Sequence, residues 1–247
     1  MKAMILAAGL GSRLKPLTNN IPKALVEVGG VPMLEKVILS LKHKGFKRFV
    51  VNVHHFSNQI IDFLSTRDYG VEIQISDETE ELLDTGGGIA KAYDLLFSKD
   101  SRPVLIHNVD IISNADLKGL ISQSSLGSSL LTSDRESSRK LLFDLENNLS
   151  GWHNLKENIY RWVNNKEFDK ELAFSGIYMM GKSAVEEMRS LHGIKKYSVM
   201  DYFLNQNRKL EVKGFEQTDL ELIDIGKPAT LLQASEIFNK NSKDISN

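Results

Sequence analysis

The stretch KAMILAAGLGSR, residues 2–13, decides the fold of this chain. Its first seven residues are almost all apolar, and glycines follow at Gly9 and Gly11. A short apolar run that ends at glycines is typical of a buried strand that enters a tight loop. Buried parallel strands occur in α/β proteins, where helices cover the sheet. We therefore predict that residues 2–8 form the first strand of an α/β fold.

Strand and helix signals alternate through the first half of the chain. Pro32 and Gly45 bracket a predicted helix, because proline suits the first turn and glycine ends the last. The further predicted elements are strand 49–53, a helix around 60–64, strand 71–75, a loop that opens a helix over 86–96, and strand 104–106. This alternation predicts a three-layer, Rossmann-like mixed sheet, mostly parallel, with helices on both faces.

The pattern changes after about Gly119. Shorter strands are predicted over 141–145 and 173–179, with polar segments between them, which indicates a small antiparallel extension that faces the substrate. A short strand over 222–225 and a closing helix over 228–238 complete the chain. Because no repeat or linker is visible, we expect one domain, residues 1–247, with halves 1–118 and 119–247.

Composition excludes several classes of function. The chain has 247 residues and a net charge of -1, so it lacks the broad positive field that recruits nucleic acid or anionic membranes. It has no cysteine, which excludes disulfides and thiolate chemistry. The N-terminus is a poor signal peptide, and no apolar run is long enough to cross a bilayer. We therefore expect a cytoplasmic protein that contacts neither membrane nor nucleic acid.

The glycine loop is suited to phosphate. Without a Cβ, its backbone N–H groups can approach phosphate oxygens, and Arg13 adds a guanidinium for the same oxygens. A tight turn would also account for the glycines alone. The dinucleotide fingerprint would need a third glycine at Leu14, and the P-loop would need Gly-Lys-Ser/Thr, so neither motif fits.

The continuation LKPLTNNIPKALV, residues 14–26, adds Lys15 and Lys23, each directly beside a stiffening proline, Pro16 or Pro22. Here the chain resembles the sugar-phosphate nucleotidyltransferase superfamily, which opens with L-A-A-G-x-G-x-R-x-x-P-L-T and then P-K-x-L. The resemblance implies transfer of a nucleoside monophosphate from a nucleoside triphosphate to a sugar 1-phosphate, with Mg²⁺ as cofactor. It implies catalytic roles for Arg13 on the β and γ phosphates and for Lys23 on the α phosphate. The implied nucleotide-binding residues of this segment are Ala7, Ala8, Gly9, Gly11, Ser12, Arg13 and Lys23.

Two distant aspartates match the metal-binding positions of the same superfamily. Asp110 stands in Asn108-Val109-Asp110, after a predicted strand, and Asp224 stands in the later I-D-I-G segment. The resemblance implies that both hold Mg²⁺, which usually takes one or two protein carboxylates. It also implies that Asn108 contacts the sugar phosphate. Val109 replaces the glycine of the family's N-G-D motif, which puts the local backbone conformation in question.

A second glycine loop carries the resemblance further. The segment DTGGGI, residues 84–89, is similar to the E/D-T-G-G-G-I segment of muramic acid 1-phosphate uridylyltransferases and, more loosely, to T-A-G in mannose-1-phosphate guanylyltransferases. In both groups this loop lies against the nucleobase and ribose. The resemblance therefore implies that Thr85, Gly86 and Gly87 bind nucleotide.

The sugar-binding residues match less completely. Ser175 and Gly176 lie in FSGIY, residues 174–178, which resembles the family's sugar-binding strand, although a β-bulge would equally explain the glycine. The family's E-K-P lysine is missing, and Lys156 or Lys195 could replace it. We expect UTP and N-acetylmuramate 1-phosphate as substrates, with GTP and mannose or heptose 1-phosphate as the alternative. An inactive nucleotide-binding regulatory module is the alternative of another class, and the sequence does not indicate an oligomeric state.

Overall fold

The computed structural model describes residues 1–98, 100–124, 126–163, 167–226, 230–232 and 234. The described strands, in chain order, are β1 (Lys2–Leu6), β2 (Glu27–Val28), β3 (Val31–Pro32), β4 (Arg48–Val53), β5 (Glu72–Asp77), β6 (Val104–Asn108), β7 (Ile111–Ser113), β8 (Ser128–Ser133), β9 (Arg139–Phe143), β10 (Leu149–Asn154), β11 (Ile159–Trp162), β12 (Lys170–Met180), β13 (Val212–Glu216) and β14 (Leu222–Asp224). The described α-helices are α1 (Met33–His43), α2 (Ser57–Ser65), α3 (Asp84–Lys91), α4 (Tyr93–Phe97), α5 (Leu117–Ser122), α6 (Lys182–His192) and α7 (Val199–Phe203).

The chain divides into two compact units, and neither is continuous in sequence. The first unit consists of Met1–Leu82, Asn108–Ser113 and Leu222–Asn247. The second consists of Leu83–His107 and Asn114–Glu221. A unit assembled from separate segments depends on contacts between residues far apart in the chain.

The first unit is built on three parallel strands. β4 pairs with β1 on one side and with β5 on the other, both in parallel register. All five residues of β1 are buried, as expected for a strand covered on both faces. α1 connects β3 to β4, and it begins directly after Pro32 and ends before Gly45, whose φ of +89° suits the turn that follows. The predicted alternation of parallel strands and helices is confirmed here.

The second unit is mainly antiparallel. Its longest strand, β12, pairs in antiparallel register with β6, β8 and β9. β10 continues this arrangement between β9 and β11, whereas β13 runs parallel to β8. The predicted antiparallel extension is confirmed, and the chain contains both the parallel and the antiparallel strands of the predicted mixed α/β class.

Two predicted elements differ from the structure. The sequence predicts a loop at the glycines of residues 86–88, but α3 already begins at Asp84, so they lie inside the helix. Of the closing helix predicted over 228–238, Thr230–Leu232 and Ala234 are described and helical; its other residues, like the tail 239–247, lie outside the described residues. Among the helices that the structure describes, none combines the length and apolar character that a membrane span requires.

Candidate functional site

The loop after β1 contains two glycines with different local surroundings. Gly11 has a φ of +65°, and a Cβ there would lie 2.8 Å from Cγ2 of Thr18. At Gly9 nothing lies within 4 Å of the position a Cβ would take. The fold therefore requires glycine at position 11, whereas Gly9 leaves open surface of the kind that a phosphate can approach.

Hydrogen bonds and buried apolar contacts hold this loop in place. The hydroxyl of Thr18 donates to the carbonyl oxygen of Gly11 at 2.8 Å, and the N–H of Leu14 donates to the same oxygen at 2.8 Å. Leu14 belongs to a buried apolar cluster that also includes Val26 and Ile225. Ser12 and Arg13 lie between these anchors, in a short 3-10 helix that spans Ser12–Leu14. The loop conformation is thus set by packing as well as by its glycines.

Two buried polar residues beside the loop, Asn52 and Glu78, were not predicted from the sequence to belong to the site. Oδ1 of Asn52 accepts from the backbone N–H of Ala7 at 2.7 Å, and Nδ2 of Asn52 donates to Oε1 of Glu78 at 2.7 Å. Asn52 is 2% exposed and Glu78 is fully buried. An asparagine inside an apolar strand was the available signal, because a buried amide needs partners. Since the N–H of Ala7 is already bonded, Ala7 would meet a ligand through other atoms.

One cation of the loop region, Lys23, lies against a carboxylate. Nζ of Lys23 forms an ion pair with Oδ2 of Asp110, and these side chains are only 11% and 15% exposed. The Cβ of Lys23 lies 3.0 Å from the Cβ position of Gly11, which places the lysine against the glycine loop. Sequence positions 11, 23 and 110 therefore meet in the first unit.

The second aspartate joins the same unit through β14. This strand pairs with β7, so that Asp224 stands opposite Ile111, and the N–H of Ile225 donates to the carbonyl oxygen of Asp110 at 2.8 Å. A Cβ on Gly226 would lie 2.7 Å from Oδ1 of Asp224 and 2.9 Å from Nη2 of Arg13. The structure thus brings Arg13, Lys23, Asp110 and Asp224 together, as the sequence predicts.

This donor set is compatible with Mg²⁺. The ion prefers oxygen ligands and usually binds through one or two carboxylates, with phosphate oxygens and water at its other positions. Asp110, directly before β7, and Asp224, the last residue of the paired strand β14, can supply those carboxylates. Over the described residues there is no cluster of three or more histidine, cysteine or acidic side chains, so the arrangement does not resemble a site closed by protein ligands alone.

Val109 fits its position without strain. Its φ is not among the positive values found in the chain, its side chain is buried, and its N–H donates to the carbonyl oxygen of Leu6 at 3.2 Å. The glycine found here in the family's N-G-D motif is therefore not required by the backbone of this chain. Asn108, the last residue of β6, is partly buried beside it.

The second glycine segment lies in the second unit and is closely packed. The N–H groups of Gly86 and Gly87 donate to the carbonyl oxygen of Tyr197 at 2.9 and 3.3 Å, and Oγ1 of Thr85 accepts from the N–H of Val199 at 2.9 Å. A Cβ on Gly86 would lie 2.4 Å from the Tyr197 ring, and one on Gly87 would lie 2.0 Å from the carbonyl oxygen of Lys195. These glycines therefore allow close packing of α3, a role that the sequence did not indicate, and contact with a nucleobase stays a prediction.

Ser175 and Gly176 lie at an irregularity of β12. Gly176 has a φ of +76°, and the pairing with β8 shifts register between Phe174 and Tyr178. Ser175 is buried, and its hydroxyl oxygen accepts from the N–H of Ile177 at 3.1 Å. A bulge accounts for the glycine, and a contact between these two residues and a sugar stays a prediction.

Comparisons with known proteins place the chain in a family. The sequence profile of the Nucleotidyl transferase family matches residues 2–132, more than half of the chain. An N-acetylmuramate alpha-1-phosphate uridylyltransferase of Neisseria meningitidis serogroup B is 43% identical over 117 residues, which cover 47% of this chain and 49% of the relative. Mannose-1-phosphate guanylyltransferase 1 of Arabidopsis thaliana is 31% identical over 76% of this chain and 52% of its own length. These matches span about half the length of the curated relatives.

A solved structure resembles the chain over nearly its full length. The crystal structure of HddC from Yersinia pseudotuberculosis superimposes with a TM-score of 0.76 and 25% sequence identity. The match covers 96% of this chain and 99% of the solved chain. The likeness therefore includes both compact units and is not confined to the glycine loop.

Proposed function

Because this chain belongs to the nucleotidyl transferase family, we propose that it transfers a nucleoside monophosphate from a nucleoside triphosphate to a sugar 1-phosphate. The observation that carries this proposal is the meeting of Arg13, Lys23, Asp110 and Asp224 around a glycine loop with open space at Gly9. Such a group of charges suits a polyphosphate bound with a metal ion. The products are a nucleoside diphosphate sugar and pyrophosphate.

In this reaction an oxygen of the sugar phosphate attacks the α-phosphorus of the triphosphate. A new P–O bond forms, the bond from the α-phosphorus to the bridging oxygen breaks, and pyrophosphate leaves with that electron pair. The nucleophile is already an anion at neutral pH, so no general base is required. The protein needs mainly to hold two repelling anions in line and to neutralise their developing charge.

In this reaction the cationic side chains would contact the phosphates and the carboxylates would bind the metal ion. The loop of residues 9–12 and the guanidinium of Arg13 bind the β and γ phosphates, while the ammonium of Lys23 stabilises charge at the α phosphate. Asp110 and Asp224 hold Mg²⁺, which polarises phosphoryl oxygens when bound. In this proposal residues 1–118 bind the nucleotide and residues 119–247 bind the sugar phosphate, with Asp224 joining the metal site from the second half.

For the substrates, we propose UTP and N-acetylmuramate 1-phosphate. Residues 84–89 match the loop motif of that group of enzymes, and the Neisseria uridylyltransferase has the higher identity of the two relatives described above. Thr85, Gly86 and Gly87 would then lie near the uracil and ribose, and Asn108, Ser175 and Gly176 near the sugar phosphate. No lysine is assigned to the role of the missing E-K-P lysine.

A second substrate pair has its own support. The plant guanylyltransferase aligns with a larger share of this chain than the uridylyltransferase does, which favours GTP with mannose 1-phosphate or a heptose 1-phosphate. Pyrophosphate release should therefore be measured with ATP, CTP, GTP and UTP, each combined with several sugar 1-phosphates. Fastest release with UTP and N-acetylmuramate 1-phosphate supports our choice, and fastest release with GTP supports the alternative.

Two substitutions test the assignment of the residues. Asp110→Ala should abolish Mg²⁺-dependent pyrophosphate release, whereas Asp62→Ala, which removes an exposed aspartate on α2, should leave the rate unchanged. Lys23→Ala should lower kcat by roughly tenfold or more, since it removes a charge contact of the transition state. Lys47→Ala is the matched control, because Lys47 is exposed.

The outcomes separate the possible roles. Wild-type turnover in Asp110→Ala would refute the metal assignment. A rise in KM alone for Lys23→Ala would show that Lys23 binds substrate without stabilising the transition state. Binding of a triphosphate with no pyrophosphate release from any substrate pair would identify the chain as an inactive nucleotide-binding module.

A further inference from the structure

The contact between Lys23 and Asp110 joins two groups that the reaction would use separately. In the proposed function Asp110 binds metal and Lys23 binds phosphate, yet here the ammonium is paired with the carboxylate. The two side chains are mostly shielded from solvent, so water screens this pair less than it would screen a surface pair. A cation that approaches Asp110 must therefore compete with the ammonium of Lys23.

The backbone positions of both residues are fixed. Lys23 begins a 3-10 helix that spans Lys23–Leu25, and its carbonyl oxygen accepts from the N–H of Val26, a residue of the buried cluster. The carbonyl oxygen of Asp110 accepts from the N–H of Ile225, in the same cluster. Separation of the ammonium from the carboxylate thus requires rotation of the long lysine side chain and no movement of the backbone at either residue.

The other two charged groups of the site lie beside the same glycine. The guanidinium of Arg13 and the carboxylate of Asp224 both approach Gly226. With two cations and two carboxylates, the four side chains have no net charge when no ligand is bound. Binding of a bare divalent cation would give these four side chains and the ion a net charge of +2. The ion would also lie beside the ammonium of Lys23, which is paired with the same carboxylate of Asp110. A triphosphate, in contrast, supplies anionic oxygens to which both cations can move.

From this geometry we propose that Lys23 is the resident counter-ion of Asp110, so that free Mg²⁺ is excluded and the metal enters together with the triphosphate. The inference rests on the proposed function, because it takes Asp110 as a metal ligand and Lys23 as a phosphate ligand. On nucleotide binding, the ammonium of Lys23 leaves the carboxylate for a phosphate oxygen. Asp110 then becomes available to the metal that the triphosphate carries.

Metal binding without nucleotide tests this proposal directly. We would titrate the purified protein with Mn²⁺ and follow the unbound ion by electron paramagnetic resonance, for the wild type and for Lys23→Met. Methionine keeps the length and apolar stem of lysine and removes its charge. Lys23→Met should bind Mn²⁺ at least about tenfold more tightly than the wild type, because the competing cation is gone. Lys15→Met, which removes an exposed charge of the same segment, should change the affinity by less than about threefold.

Two further measurements identify the site and the order of binding. The double variant Lys23→Met and Asp110→Asn should lose the increase in Mn²⁺ affinity, because that increase depends on the carboxylate of Asp110 being released from its ion pair. With a non-hydrolysable UTP or GTP analogue present, the wild type should bind Mn²⁺ as tightly as Lys23→Met or more tightly. Circular dichroism would confirm that each variant is folded.

The results distinguish this inference from the proposed function. Equal Mn²⁺ affinity in the wild type and Lys23→Met, or an equal gain in Lys15→Met, would overturn the counter-ion role. If the gain appears and depends on Asp110 but no substrate pair yields pyrophosphate, the counter-ion role stands and the proposed activity fails. If pyrophosphate is released but Lys23→Met gains no Mn²⁺ affinity, the proposed activity stands and the counter-ion role fails.

Discussion

Oδ1 of Asn52 accepts a hydrogen bond from the backbone N–H of Ala7 at 2.7 Å. The bond joins the middle strand of the first unit to the residue that follows β1, just before the glycine loop. Its other side-chain group bonds to buried Glu78, so Asn52 is held from both ends. The start of the loop is thereby fixed by an amide that would not itself contact phosphate.

We predict that Asn52→Ala destabilises the protein. The substitution leaves the N–H of Ala7 without its partner in a buried place, which costs about 1–3 kcal/mol in the free energy of unfolding. Urea unfolding followed by circular dichroism measures the effect. Asn58→Ala, at an exposed position of α2, is the matched control and should change the free energy by no more than about 0.5 kcal/mol. Equal effects at both positions would contradict the role given to Asn52.

Gly9 and Gly11 should respond differently to alanine. Gly9→Ala meets no neighbouring atom and should leave the free energy of unfolding within about 0.5 kcal/mol of the wild type. It should nevertheless weaken binding of a triphosphate by roughly tenfold or more, because a methyl group then occupies the surface that phosphate approaches. Isothermal titration with a non-hydrolysable analogue measures this. Unchanged affinity would show that phosphate does not bind at Gly9.

Gly11→Ala is expected to act mainly on stability. A φ of +65° costs an L-residue about 1–2 kcal/mol, and the new methyl group would also press against Thr18. Thermal unfolding should show a lower Tm than that of Gly9→Ala. The reverse order of the two variants would mean that the loop conformation differs from the one described.

The packing of α3 predicts coupling between Gly86 and Tyr197. Gly86→Ala should be destabilising, since its Cβ would lie 2.4 Å from the tyrosine ring. Tyr197→Ala opens space for that methyl group, so the double variant should be more stable than the sum of the single effects by about 0.5–3 kcal/mol. Chemical denaturation of all four forms gives the coupling energy. If the two changes in the free energy of unfolding are additive, Gly86 is not required for packing against Tyr197.

The hydroxyl of Tyr178 predicts a dependence of stability on alkaline pH. It is buried and makes no hydrogen bond to any residue that the structure describes. Removal of an unpaired polar group is favourable, so Tyr178→Phe should raise the free energy of unfolding by about 1 kcal/mol at pH 8. A loss of similar size would show that the hydroxyl has a partner, such as a bound water.

Above pH 10 the same substitution should gain a larger advantage. Burial, followed by the charge of Asp84, raises the pKa of Tyr178 well above its ordinary value of 10.0. The unfolded state then ionises at Tyr178 while the folded state stays protonated, so the wild type loses stability as pH rises. The difference between Tyr178→Phe and the wild type should grow by up to about 1.4 kcal/mol per pH unit. Urea unfolding at pH 8 and at pH 11 measures it.

Much of the fold could be predicted because its signals are local. The apolar run of residues 2–8 and the pair Pro32 and Gly45 define β1 and α1 within two residues. The charged residues of the site could be proposed because Arg13 and Lys23 stand in one recognisable segment. Asp110 could be added because it follows a predicted strand, and Asp224 because its I-D-I-G segment resembles the family's second metal-binding position.

What the sequence did not reveal depends on contacts between distant residues. The bond from Ala7 to Asn52 spans 45 positions, and nothing in either local sequence indicates the pairing. The role of Gly86 and Gly87 in packing depends on Lys195 and Tyr197, more than a hundred residues later. Local sequence carries no information about such tertiary neighbours, so the glycines could be predicted as a nucleotide-binding loop but not as a site of helix packing.

The composition of the first unit also determines when its site can form during translation. Its glycine loop is synthesised first, whereas Asp224 and the strand that carries it follow more than two hundred residues later. At about 5–20 residues per second, a ribosome adds this aspartate roughly 10 to 40 seconds after Gly11. During that interval the nascent chain has its glycines, both cations and finally Asp110, but no partner strand for β7. Translation must therefore pass residue 224 before all four charged groups can come together.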